Sequence, residues 1–144
     1  MAQEKAKKIL EAMLANDAFS KWLGVDVADI GPGFCRLRMV VRAEMLNGFG
    51  IAHGGITYAL ADSAFAFASN SHGRKAVSID TGIAHLQPLK EGQQITAEAK
   101  EVSLSNKIGL YHVEVFCDQN QHIASFKGTV YRTSRLWEVE DHNT

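Results

Sequence analysis

A glycine-rich loop, residues 47–55, runs from Asn47 through Gly48, Gly50, His53 and Gly54 to Gly55, and it feeds an apolar stretch whose one charged residue is Asp62. Glycine lets a ligand approach the backbone closely, and the first N–H groups of a helix have no intrahelical partner. Such N–H groups can polarise a carbonyl oxygen and hold the negative charge that develops on it. A carboxylate within an apolar helix is expensive unless it has a use. Burial raises its pKa and hydrogen bonds to its ionised form lower it.

Asn47 and His53 flank the loop. The Asn47 amide can hold a carboxylate or a water, and His53 can orient the loop or hydrogen-bond a substrate, a better use of it than as general base. Ser78 and Thr81, on the segment that follows, offer hydroxyls for positioning water. Gly54 and Asp62 are eight positions apart, so on one helix about 12 Å of axis separates them at ~1.5 Å per residue. A base and an oxyanion donor must each come within roughly 3 Å of the reacting group or its bridging water. If both serve one carbonyl, Gly54 of one copy works with Asp62 of a second copy, and activity requires a dimer.

Other chemistries fit less well. The chain has neither a G-x-S-x-G nucleophile elbow nor a G-x-x-x-x-G-K-[ST] phosphate loop. Residues 48–53 fall one position short of a dinucleotide fingerprint and follow no parallel βαβ pattern. His53, His72, His85, His112, His122 and His142 have no metal-ligand spacing, so neither metal nor cofactor is expected.

The elements must position these groups within one domain, since 144 residues with 46% hydrophobic and 22% charged content suit a single soluble unit. A formal net charge of −1 gives no reason to expect nucleic acid. Residues 1–15 carry five charges and no continuous apolar core of a signal peptide, and no run is long enough to span a membrane, so a cytoplasmic location is expected. Cys35 and Cys117 read as reduced sheet or core residues.

Ala6, Ile9, Leu10, Met13 and Leu14 predict an amphipathic first helix lying on a sheet, and residues 19–23 a further helical turn stopped by Gly24. Residues 25–30 and 34–41 read as a hairpin around Gly31-Pro32-Gly33. The long helix spans about residues 54–71, and strands follow at 76–86, 95–102, 108–117 and 122–132. Short loops without intervening helices make the sheet antiparallel. An α+β fold follows, an antiparallel sheet wrapped around one long central helix, because a nearly all-apolar helix must be covered on most sides. The open sheet leaves edges that a second copy can cover. The domain takes residues 1–133, and residues 134–144 form a loosely ordered tail apart from Trp137.

With Asn47, His53-Gly54-Gly55, Asp62, Val77-Ser78-Ile79-Asp80 and Leu86-Gln87-Pro88 in place, the chain resembles the hotdog-fold acyl-CoA thioesterases, in particular the phenylacetic acid degradation protein PaaI subgroup. The likeness covers about residues 10–133, and the Asp nine positions after the His distinguishes this subgroup from relatives with a helical Glu. It implies a dimer with a continuous two-subunit sheet, a homotetramer of two dimers, and metal-free thioester hydrolysis. It further implies that Asp62 is the general base or nucleophile and Gly54 the oxyanion N–H donor. Asn47 positions, His53 orients the loop, and Ser78 helps hold the attacking water. Coenzyme A, part of the substrate, is expected along the subunit interface with its acyl group in an apolar slot beside the helix, and Lys90 or Arg74 near its phosphates. Phenylacetyl-CoA or a ring-hydroxylated relative is the expected substrate. The alternatives are a hotdog hydratase or dehydratase and a non-catalytic acyl-CoA binding module.

Overall fold

The computed structural model describes residues 1–139. Helix α1 (Ala2–Ala15) and the short α2 (Ala18–Leu23) precede the hairpin β1 (Asp26–Gly31) and β2 (Phe34–Val40). After a single 3-10 turn at Ala43–Met45 comes α3 (Gly54–Asn70), then β3 (Arg74–His85), β4 (Gln94–Leu104), β5 (Ile108–Cys117) and β6 (His122–Leu136). The strands form one antiparallel sheet in the order β1-β2-β4-β5-β6-β3. Helix α3 packs across β2, β4, β5, β6 and β3, the sheet wrapped around one long helix that the residue pattern implied and the hotdog fold that the resemblance implied.

The sheet closes on the helix through alternation. On β4, Ile95, Ala97 and Ala99 are fully buried, whereas Thr96, Glu98 and Lys100 point away. The paired alanines leave room for Leu60, Ala61, Ala64, Phe65 and Ala68 of α3. Phe65 stacks edge-on against Tyr111 and tilts against Phe126, with ring centroids 5.8 and 5.6 Å apart. Its ring occupies the place where a side chain on Gly128 of β6 would lie: an added Cβ there would come within 2.6 Å of Phe65 Cζ. Glycine at 128 is thus the condition for helix and sheet to meet.

One stripe of α3 is not covered by its own chain. Ala59, Asp62 and Ala66, spaced three and four residues apart, and Tyr58 beside them are partly exposed, and Gly55 above them is exposed. At the sheet margin, β3 pairs only with β6 among the described residues, leaving a twelve-residue strand with Val77 and Ile79 exposed.

The segment read as a loose tail from residue 134 is in part strand, because β6 continues to Leu136. Arg74 and Thr133 account for this: Arg74 Nε donates to the Thr133 carbonyl, and Thr133 Oγ1 donates to that of Lys75. Trp137 then donates through Nε1 to Asn70 Oδ1 at 2.9 Å, and Lys75 Nζ lies 4.8 Å from its ring centroid. Residues 140–144 of the expected tail lie outside the described residues. Cys35 and Cys117 are free and buried, and burial pushes the Cys35 thiol up to about 12.

Candidate active site

The loop before α3 is built by its own polar side chains. Asn47 Oδ1 accepts from the Phe49 and Ile51 N–H groups, the Asn47 N–H donates to the Ile51 carbonyl at 2.8 Å, and Gly50 supplies a φ of +78°. The Asn47 carbonyl end is therefore spent on the loop, and its NH₂ remains for a ligand. His53 is the N-cap of α3, with Nδ1 accepting from the Gly55 N–H at 2.8 Å. That bond fixes the proton of a neutral His53 ring on Nε2. It also leaves the Gly54 N–H, at the first helical position, with no acceptor among the described residues.

Gly54 opens into a cleft of about 320 Å³ that it shares with Asn47, Thr57, His85 and Gln87. Asp62 lines a different one, of about 410 Å³, with Asp17, Phe19, Ser20, Gly55 and Tyr58. Its carboxylate has no hydrogen bond to a described residue. Burial raises the Asp62 pKa above the usual carboxylate value, and the charge of Asp17 raises it further. Asp17 is held in place as the N-cap of α2, accepting from Ser20 N at 2.9 Å and Ser20 Oγ at 2.6 Å. Ser20 Oγ in turn meets Ser63 Oγ of α3 at 2.8 Å, which pins α2 over the Asp62 cleft.

A third, more apolar cleft lies between α2 and the loop, lined by Phe19, Trp22, Met45, Leu46, His53 and Ile56. Phe19 and Trp22 stack with centroids 5.9 Å apart, and Phe19 belongs to both this cleft and that of Asp62.

The protomer thus brings Asn47 and Gly54 together, places His53 behind them, and keeps Asp62 apart. Ser78, exposed on the edge strand, lines none of these clefts. Thr81, the other hydroxyl on β3, is engaged by the Tyr58 hydroxyl. Arg74 gives its guanidinium to Asn106 and to the carbonyls of Arg132 and Thr133. Of the two cations expected near phosphates, Lys90 is the exposed one without such ties.

Sequence reasoning passed over Asp17, the Phe19–Trp22 pair and His85. Asp17 carried a signal, since an Asp with a Ser three positions on is an N-cap pattern. For His85, its place just before the Leu86-Gln87-Pro88 segment was the available sign.

With this geometry fixed, likenesses to known proteins become specific. Residues 49–124 match the family model of the thioesterase superfamily. The chain is 39% identical over 128 residues to acyl-coenzyme A thioesterase PaaI of Escherichia coli, covering 89% of this chain and 91% of that protein. The solved structure of E. coli PaaI superposes with a TM-score of 0.92, covering 94% of this chain and 99% of that one at 37% identity. A structure of a point mutant of the phenylacetic acid degradation protein PaaI from Thermus thermophilus is 43% identical, covers 81% and 100% of the two chains, and has a TM-score of 0.79.

Proposed function

The chain belongs to the thioesterase superfamily, in its hotdog PaaI-type branch, and we propose that it hydrolyses acyl-CoA thioesters, with an aryl-acetyl group such as phenylacetyl as the acyl part. The observation that carries this reading is the free Gly54 N–H at the start of α3, in a family whose relatives act on acyl-CoA. The names of the PaaI relatives and the Phe19–Trp22 pair beside the Asp62 cleft support an aromatic acyl group.

In this reading two copies complete each site. Their β3 edges pair across the interface, covering Val77 and Ile79 and extending the sheet, and two such dimers form a tetramer. The thioester carbonyl sits at Gly54 of one protomer, where the N–H receives the developing oxyanion. Asp62 of the partner subunit, ionised, takes a proton from water or attacks the acyl carbon itself. With water as nucleophile, its oxygen bonds the acyl carbon, the C–S bond breaks, and the proton held by Asp62 ends on the departed thiolate. With direct attack, the C–S bond breaks to leave an acyl–Asp62 anhydride and coenzyme A thiolate. Water then hydrolyses the anhydride, freeing the acid, restoring Asp62 and supplying the thiol proton. Asn47 and Ser78 position the reactants, and His53 keeps the loop in register through the Gly55 N–H.

The experiment is a panel of aryl- and alkyl-acyl-CoA substrates read by thiol release, on wild type and Asp62→Ala. Thiol release that favours aryl-acetyl substrates and drops by orders of magnitude in the variant supports the reading. Binding without turnover identifies a binding module, and hydration of an enoyl-CoA without free thiol a hydratase. A folded Asp62→Ala protein with wild-type turnover removes Asp62 from the chemistry. Oxygen-18 entering the Asp62 carboxylate in a single turnover identifies direct attack.

A further inference from the structure

Two histidines flank Gly54, and the structure gives them different work. The His53 ring is committed to the Gly55 N–H. The His85 ring, from the last residue of β3, has no hydrogen bond to any described residue and faces the Gly54 cleft. A Cβ built on Gly54 would come within 3.2 Å of His85 Nε2 and 3.4 Å of Cε1, so the imidazole packs directly against the glycine.

That contact bounds the distance between two donors. With standard backbone geometry, His85 Nε2 lies within about 5.7 Å of the Gly54 amide nitrogen. Two donors that share one carbonyl oxygen at ~2.9 Å each, along lone-pair directions about 120° apart, stand about 5.0 Å from each other. A rotation of the exposed imidazole side chain brings His85 Nε2 into reach of an oxygen accepted by the Gly54 N–H.

We propose that His85 donates a second hydrogen bond, from Nε2–H, to the thioester carbonyl oxygen held by Gly54. The proposal rests on the thioesterase reading above. His85 keeps its proton throughout and strengthens its bond as charge develops on the oxygen. The chemistry of the leaving group argues against a role as its acid, because a thiol with a pKa of about 8.5 departs without much proton assistance.

The test uses His85→Ala and His85→Gln in the full chain. Turnover of phenylacetyl-CoA is measured together with the infrared carbonyl stretch of its ¹³C-carbonyl ketone analogue, in which a methylene replaces sulfur. His85→Ala is expected to lower kcat ten- to a hundredfold with KM within about twofold, in line with loss of an oxyanion donor. The bound carbonyl stretch should rise in frequency, and His85→Gln, which restores a donor, should recover part of both effects. Unchanged kcat and stretch in a folded His85→Ala protein overturn the proposal while leaving Asp62-dependent hydrolysis by wild type intact. A wild type that neither turns over the thioester nor binds the ketone overturns this proposal and the thioesterase reading together.

Discussion

Gly54 and Asp62 lie on the same helix but open into different clefts of the same protomer. A site that needs both must take one from each of two chains. Proline deletes the Gly54 N–H and, through its Cβ, also presses on the exposed His85 ring, 3.2 Å from Nε2. The backbone accepts it: Gly54 is the first helical residue, where proline is tolerated, and His53 before it has the extended backbone that proline demands, φ −60° and ψ 138°. Gly54→Pro is expected to fold and to lose 10²- to 10³-fold in kcat. Subunits of Gly54→Pro and Asp62→Asn, each nearly inactive alone, are expected to regain activity when exchanged into mixed dimers, because one site of each hybrid is intact. Absence of recovery after verified exchange would place both groups in one protomer's site.

The raised pKa of Asp62 gives two pH effects of defined sign. A base works when ionised, so the acidic limb of kcat/KM should lie above the ordinary carboxylate range. Asp17→Asn keeps a competent N-cap and removes the neighbouring charge, and should shift that limb toward lower pH. For stability, the folded state holds the Asp62 proton more tightly than the unfolded chain does. Ionised Asp62 therefore costs stability, and the cost develops as pH rises from the unfolded to the raised folded pKa. Asp62→Asn should melt higher than wild type at neutral pH, and the difference should shrink on acidification through that window. Thermal melts at several pH values check the sign.

Adding a methyl group at Gly128 brings Cβ against the Phe65 ring at 2.6 to 2.9 Å. Phe65 is itself held by Tyr111 and Phe126, and all three are buried, so the ring has little freedom to retreat. Gly128→Ala should cost about 1–3 kcal/mol, the range for overpacking a filled core. The midpoint of chemical denaturation reads it directly.

A charge on the outer edge of β3 should separate assembly from folding. Ile79 is 58% exposed in the protomer, so Ile79→Lys has little reason to unfold it. If β3 pairs with a second β3, lysine at this position should weaken the dimer and lower activity with it. Sedimentation and thiol release on the same sample give the two readings.

Much of this fold is visible in the residue pattern because strong periodicity marks it. The β4 alternation from Ile95 to Lys100 and the apolar run of α3 each state which face is inward, and wrapping follows from the helix being apolar nearly all round. The His53-Gly54-Gly55 loop and Asp62 were legible for a similar reason, since each breaks its local pattern at a chemical cost. Asp17 and His85 break no pattern, because polar residues at a helix cap and at a strand end are ordinary. Their meaning comes from long-range packing: Ser20 against Ser63, and His85 beside Gly54, where an added Cβ would meet its ring. The reach of β6 to Leu136 likewise depends on Arg74 and Lys75, some sixty positions earlier, and not on anything in the segment itself.

The strand order has a consequence for how the protein is made. β3 leaves the ribosome directly after α3, yet among the described residues the only strand it pairs with is β6, which starts at His122 after β4 and β5. Throughout that interval the long edge bearing Val77 and Ile79 has no partner on either side. Pairing β3 with β6 is, like pairing β2 with β4, a step of high contact order, and the nascent chain is exposed to mispairing along β3 while it waits. Val77 and Ile79, the side chains assigned above to the meeting of two finished subunits, are thus first a hazard that each growing chain carries by itself.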